Sequence, residues 1–245
     1  MRIAPGLRVV FLHAHPDDET LATGALIAEL VATNPALVVT ATRGERGEIV
    51  PGVLPVATSP ERLTSVRQAE LAAALAALGV REHCFLGSPP ARTPGRPPRA
   101  YRDSGMTWIR PGLAGPAADA EPSSLALAGA DEPADDLAAL LAGWRADLVL
   151  SYAADGGYGH PDHVACHVIA GRAAALVGLR CAEFGTGPAP DGASGYDYPQ
   201  RLDAVRAALD GYRTQLTRVA DQVIHVGGQR EPVVTSGWLR EVPRP

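Results

Sequence analysis

Two apolar runs, Leu7 to Leu12 and Ala146 to Tyr152, are each followed by a His-Pro-Asp triplet and then by a helical pattern. No other feature constrains the fold of this chain as much. A short apolar run bounded by turn residues reads as a buried strand. Proline suits the first turn of a helix, so each triplet marks a strand-to-helix turn. His13-Ala14-His15-Pro16-Asp17-Asp18-Glu19 is the first turn and His160-Pro161-Asp162-His163 the second. In an open α/β sheet, the crevice beyond the carboxyl ends of the strands is where ligands bind.

The intervening chain supports such a sheet. Residues 36–42 read as a second buried strand, ending in the glycine- and acid-rich Arg43-Gly-Glu-Arg-Gly-Glu48, either a loop at the same sheet edge or a solvated turn. Ser59-Pro60-Glu61 is a helix start, and helical spacing continues to Leu78-Gly79. Residues 80–86 read as a third strand. The order β-α-β-α-β implies a parallel sheet with helices on both faces. The expected fold class is α/β, a Rossmann-like three-layer sandwich with a mostly parallel sheet. No G-x-G-x-x-G follows the first strand, which argues against a dinucleotide or phosphate site.

Residues 87–130 break the pattern. They are rich in Pro, Gly and Arg, yet contain Tyr101, Met106 and Trp108, and they are expected to form a lid over a ligand. Beyond them come a helix over 131–144, the strand over 146–152, a helix from the second turn to about Val177 and a strand over 178–184. Then a loop over 185–199, a helix over 200–216 and a hairpin around Gly227-Gly228, with strands at 223–226 and 233–236, complete the expected order. The chain of 245 residues is expected to be one domain, with 185–245 a smaller C-terminal portion.

The net charge of -5, without a basic block, leaves no nucleic-acid footprint. No apolar run is long enough for a bilayer, and no signal peptide is visible at the start. Cys84, Cys166 and Cys181 form no CxxC pair and read as reduced thiols. A cytoplasmic location is expected. Every basic side chain other than histidine is arginine, the mark of a GC-rich codon usage.

The turns carry the chemistry. Residues three apart share one face of a helical turn, which pairs His15 with Asp18 and His160 with His163. If the turns converge, His15, Asp18 and His163 supply two imidazoles and a carboxylate. Three protein ligands with an open position describe a catalytic zinc site; iron(II) accepts the same ligand types. Asp17 is then a spare carboxylate, placed to take a proton from an activated water. His160, if protonated, would stabilise an oxyanion or protonate a leaving amine. Asp162 would orient an imidazole. His13 is expected to be packed, and His83, His167 and His225 to be structural. Arg67 and Glu70 form either a surface ion pair or a clamp facing the cleft.

His15-Pro-Asp-Asp-Glu19 with His160-Pro-Asp-His163 resembles the LmbE-like, or PIG-L, family of metal-dependent de-N-acetylases. The resemblance covers most of residues 7–216. It implies zinc held at His15, Asp18 and His163, with Asp17 as general base and His160 assisting at the oxyanion, and the choice of His163 over His160 as ligand rests mainly on this resemblance. It also implies a small-molecule amino-sugar substrate, with neither nucleic acid nor membrane as partner, and homo-oligomerisation as a further option. Arg67-x-x-Glu70, Tyr101-Arg-Asp-Ser-Gly-Met106 and Tyr158 resemble the mycothiol branch. By that analogy Arg67 and Asp103 bind sugar hydroxyls, and Tyr158 hydrogen-bonds the carbonyl or its tetrahedral intermediate. The implied reaction is N-deacetylation of an N-acetylglucosaminyl-inositol compound. Alternatives are hydrolysis of a mycothiol S-conjugate, deacetylation of a secondary metabolite, and a non-catalytic, metal-containing sugar-binding module. The chain departs from the resemblance at Tyr212, where a histidine is expected two residues before Thr214.

Overall fold

Strand β1 (Val9–His13) lies at the centre of the molecule, with Val9 to Leu12 wholly excluded from solvent. Each such side chain contributes roughly 1.5–3 kcal/mol by burial. A computed structural model describes residues 1–110 and 113–243. In it β1 is followed by α1 (Asp18–Leu30), β2 (Ala36–Thr40), α2 (Pro60–Ala77) and β3 (Glu82–Phe85). Then come β4 (Thr107–Arg110), β5 (Leu113–Gly115), α3 (Asp131–Trp144), β6 (Leu148–Tyr152), the single turn α4 (Gly156–Gly159) and α5 (Pro161–Val177). The C-terminal part holds β7 (Arg180–Gly185), β8 (Ser194–Asp197), α6 (Leu202–Leu209), β9 (Leu216–Val219), β10 (Gln222–His225), β11 (Arg230–Pro232) and β12 (Ser236–Val242).

Seven strands form the main sheet in the order β3-β2-β1-β6-β7-β12-β8. The first five run parallel; β12 pairs antiparallel with both β7 and β8. From β1 the chain steps outward through β2 and β3, and from β6 it steps the other way to β7. Right-handed crossovers in opposite directions put their helices on opposite faces. Accordingly α6 packs on α1 and α2, and α3 packs on α5. The switch of direction falls between β1 and β6, neighbours in register from Val9↔Leu148 to Phe11↔Leu150. The two His-Pro-Asp turns therefore leave adjacent strand ends, at the topological switch point of the sheet.

The structure departs from the sequence reading in the C-terminal portion. The helix expected over 200–216 stops at Leu209, and the chain turns into β9. The 185–199 loop contains β8, and strand structure falls at 230–232 and 236–242 rather than 233–236. The hairpin around Gly227-Gly228 is present between β10 and β11. β12 returns to extend the main sheet, covering the edge that β7 would otherwise expose.

Within the segment expected to form a lid, residues 92–101 are pinned to α3. Asp136 of α3, fully buried, accepts from Arg92, the Thr93 amide and hydroxyl, and the Tyr101 hydroxyl at 2.7–2.8 Å. Tyr101 is itself fully buried. Burial works against the Asp136 charge, but these donors hold its carboxyl below the ordinary range. The three cysteines are free and buried. No helix among the described residues is long and apolar enough to cross a membrane.

Candidate metal centre

The two turns meet beyond β1 and β6. His15, His160 and His163 bring ring nitrogens within 4.8 Å of one another. Asp18 lies between the turns: its Oδ2 is 3.2 Å from His15 Nδ1, and its Oδ1 is 3.3 Å from His163 Nε2. His15 Nε2 faces Asp162 Oδ2 at 3.1 Å and Asp103 Oδ1 at 3.7 Å. His15, Asp103 and Asp162 thus make a second close group sharing one imidazole.

Local bonds fix each group. Asp18 Oδ2 accepts from the His15 amide at 2.8 Å and from the Tyr152 hydroxyl at 2.7 Å. The Tyr152 ring stacks on His163 with centroids 4.1 Å apart. His163 Nδ1 lies 3.2 Å from Gly156 O. Gly156 has φ +62°, and a Cβ there would sit 3.1 Å from both the His163 Cβ and the Val164 amide, so the turn needs glycine. Asp162 accepts from the Ser104 amide at 2.9 Å and from the Ser104 hydroxyl, which ties the 101–105 segment to the second turn.

His163 Nε2 is buried and has no hydrogen-bond partner. His163 Nδ1 is taken up by Gly156 O, so Nε2 is the nitrogen turned toward the Asp18 carboxylate. A cation between Nε2 and Oδ1 would be shared by both, so the donor set of His15, Asp18 and His163 fits a divalent metal. Distance alone does not separate His163 from His160 as a ligand. The two rings differ in their hydrogen bonds: His160 Nδ1 accepts from the Asp162 amide at 3.2 Å, which leaves Nε2–H as a donor in the neutral ring.

Charge follows the same geometry. Burial opposes the His15 charge, but Asp103, Asp162 and Asp18 together hold its imidazole well above the ordinary value. Burial also opposes the Asp18 charge, yet His163 and His15 hold that carboxyl well below its usual range. Burial, then the adjacent Asp18, push Asp17 well above the ordinary carboxyl value. Burial, with His15 and His163 adding to it, pushes His160 down to about 3. At that value the ring is neutral and offers Nε2–H as a donor.

Asp17 has φ 106° and ψ -35°, a conformation that a non-glycine residue adopts at a cost of about 1–3 kcal/mol. Such strain persists only where surrounding contacts enforce it.

The remaining expected site residues ring this cluster. Asp103 is buried, accepts from the Gly105 amide at 2.7 Å and sits beside His15. Arg67 is buried on α2, and its guanidinium donates to the carbonyls of Gly44, Gly47 and Glu48. It makes no ion pair with Glu70, which instead accepts from the Thr214 amide and hydroxyl at 2.8 and 2.6 Å. Tyr158 is 41% exposed, with its ring edge-on to His160 and His163 at 5.8 and 5.7 Å. The 43–48 loop is at the site's edge, since Glu45 accepts from the Asp103 amide at 3.1 Å.

His13 is packed, 5.1 Å from the Phe184 ring, with Nε2 3.1 Å from the Thr23 hydroxyl. His83, His167 and His225 contact Thr40 Oγ1, Tyr152 O and Glu231 respectively. Sequence reasoning missed Tyr152 and Ser104. Tyr152 had a usable signal, as a polar-tipped aromatic at a strand end facing the crevice.

A parallel sheet with imidazoles and carboxylates gathered at its switch point defines an α/β protein with a metal-binding donor set. The model of the PIG-L family, GlcNAc-PI de-N-acetylase, matches residues 10–175, and the chain belongs to this family. It is 46% identical over 173 residues to a 1D-myo-inositol 2-acetamido-2-deoxy-alpha-D-glucopyranoside deacetylase 1 of Saccharopolyspora erythraea, covering 69% of this chain and 54% of that protein. It is 38% identical over 232 residues to a 1D-myo-inositol 2-acetamido-2-deoxy-alpha-D-glucopyranoside deacetylase of a Nocardioides species, covering 94% and 74%. The alignments thus span about half the length of the first of these relatives and three quarters of the second. Among solved structures, a deacetylase–teicoplanin complex superposes with a TM-score of 0.58 at 20% identity, covering 97% of this chain and all of that one. The N,N'-diacetylchitobiose deacetylase of Pyrococcus horikoshii superposes with a TM-score of 0.56 at 18% identity, covering 84% and 70%. These likenesses show a shared fold.

Proposed function

We propose that this chain is a zinc-dependent amidohydrolase that removes the N-acetyl group from an N-acetylglucosaminyl-inositol compound. The observation that carries this reading is the buried His163 Nε2, without a hydrogen-bond partner, facing Asp18 Oδ1 at 3.3 Å. His15, Asp18 and His163 would hold the ion, and iron(II) suits the same donors. A bound ion supplies Lewis acidity to the water and to the amide carbonyl. Asp17 takes a proton from the attacking water and passes it to the amine nitrogen as the C–N bond breaks; its raised proton affinity suits both transfers. His160 donates Nε2–H to the developing oxyanion, and the Tyr158 hydroxyl reaches the same carbonyl from the rim. Asp162 orients His15.

Asp103 and Arg67 flank the sugar side, where Asp103 accepts from hydroxyls. The guanidinium of Arg67 serves chiefly to shape the 43–48 loop against that side. The chain acts as one deacetylase domain on a small-molecule substrate, in the cytoplasm, with neither nucleic acid nor membrane as partner. Two features favour catalysis over a binding module: the strained Asp17 and the neutral His160, neither needed to hold an ion.

The test is hydrolysis of N-acetylglucosaminyl-inositol and a panel of N-acetyl sugars by zinc-loaded protein, read as released acetate. Acetate release from the inositol glycoside above the other sugars supports the assignment. Tight glycoside binding without acetate release would establish a binding module instead.

A further inference from the structure

We infer that Tyr212 and Gln215 are positioning residues, acting as a clamp that sets the backbone torsion of Asp17. This rests on Asp17 being the proton acceptor of the proposed hydrolysis.

The peptide unit joining Pro16 to Asp17 is held at both polar ends. Its carbonyl, Pro16 O, accepts from Gln215 Nε2 at 2.8 Å. Its amide, Asp17 N, donates to Glu19 Oε2 at 3.2 Å. The other Glu19 oxygen accepts from the Tyr212 hydroxyl and from Thr20 Oγ1. Glu19 and Tyr212 are fully buried, and Gln215 nearly so. The peptide after Asp17 is fixed independently, since Asp17 O accepts from Thr20 N and Leu21 N at 3.0 and 2.9 Å in the first turn of α1. With the planes on both sides held, neither torsion of Asp17 is free, which accounts for φ 106° at a residue that is not glycine.

The clamp is anchored elsewhere in the fold. Thr214, between the two clamp residues, bonds Glu70 of α2 through its amide and hydroxyl, and its carbonyl accepts from Val50 N at 2.9 Å. A segment nearly 200 residues away in sequence thus grips the one peptide that aims the Asp17 carboxylate. The ion-holding groups do not depend on it. Asp18 is set by the His15 amide and the Tyr152 hydroxyl, and His163 by Gly156 O. Loosening the clamp should therefore redirect Asp17 while leaving metal binding intact.

The experiment is Tyr212→Phe and Gln215→Ala, singly and together, in the wild-type and Asp17→Asn backgrounds. Metal content, kcat and KM are measured, and the paired variant is crystallised. The expected result is an Asp17 φ that relaxes to negative values, unchanged metal content and similar KM. Turnover should fall about 10- to 100-fold, the scale of a small misplacement of a reacting group. In the Asp17→Asn background the same substitutions should cost nothing further, because they act through the missing carboxylate. An unchanged positive φ, or an equal fractional loss in both backgrounds, would overturn the clamp. Should the paired variant fail to fold, Gln215→Ala alone carries the same comparison. Near-normal turnover by Asp17→Asn itself would instead remove the base assignment, and the torsion in the crystal would still decide the clamp.

Discussion

His163 Nε2 lies 3.3 Å from Asp18 Oδ1, and no hydrogen bond joins them. Each atom belongs to a different His-Pro-Asp turn, so an ion between them also ties the two halves of the sheet edge. Chelation should therefore abolish hydrolysis and lower the thermal midpoint, because a ligand bound only by the folded state stabilises it. Added zinc should restore both, as followed by acetate release and calorimetry. Full activity after complete metal removal would contradict this.

The two turn histidines should separate by phenotype. His163→Ala is expected to lose the ion. His160→Ala is expected to keep it, with turnover reduced about 10²- to 10³-fold, the scale of losing one oxyanion donor. Metal analysis of the purified variants with parallel kinetics makes the distinction, and the opposite pattern would exchange the two roles.

Asp17→Asn preserves size and removes the proton acceptor. Metal content should stay at the wild-type level while turnover drops about 10²- to 10⁴-fold. The measurement is kcat on metal-replete protein.

Tyr152 supports Asp18 and accepts from the Ala14 amide at 2.9 Å. Tyr152→Phe should weaken metal binding about 10- to 100-fold, read by competition with a chromogenic chelator. It should also destabilise the fold by about 1–3 kcal/mol, since the Ala14 amide is left buried without an acceptor. Metal affinity equal to wild type would show that Asp18 needs no such support.

Asp136 gives a pH signature away from the site. Its carboxyl sits below the ordinary value in the folded state. Its ionised form therefore adds stability that is fully present above the unfolded value of about 3.9 and fades as pH falls through the lower folded value. The stability gap between wild type and Asp136→Asn should be widest near neutrality and narrow below about pH 4, as chemical denaturation across pH would show. A gap independent of pH would remove the charge from the anchoring of Arg92, Thr93 and Tyr101.

The β-α alternation and both His-Pro-Asp turns were legible because each is local. Apolar runs, a proline at a helix start and acids beside histidines need no distant partner to be recognised. What escaped was long-range. β12 joins the sheet beside β7 through pairing that a short C-terminal run does not advertise. The sequence from 87 onward is rich in loop formers, and the contacts that pin residues 92–104 come from Asp136 and Asp162, far along the chain. The helix expected to reach 216 ends at Leu209 because Tyr212, Thr214 and Gln215 are committed to Glu19, Glu70 and Pro16. Proximity of the two turns follows from β1 pairing with β6, a fact of sheet order rather than of either motif.

The most direct measurement is anomalous diffraction at the zinc edge from crystals of the zinc-loaded protein. The account requires one ion within about 2.0–2.2 Å of ligand atoms from His15, Asp18 and His163, with the Asp17 carboxylate unbound. An ion seated on Asp103 and Asp162, or one that recruits Asp17 as a ligand, would contradict it.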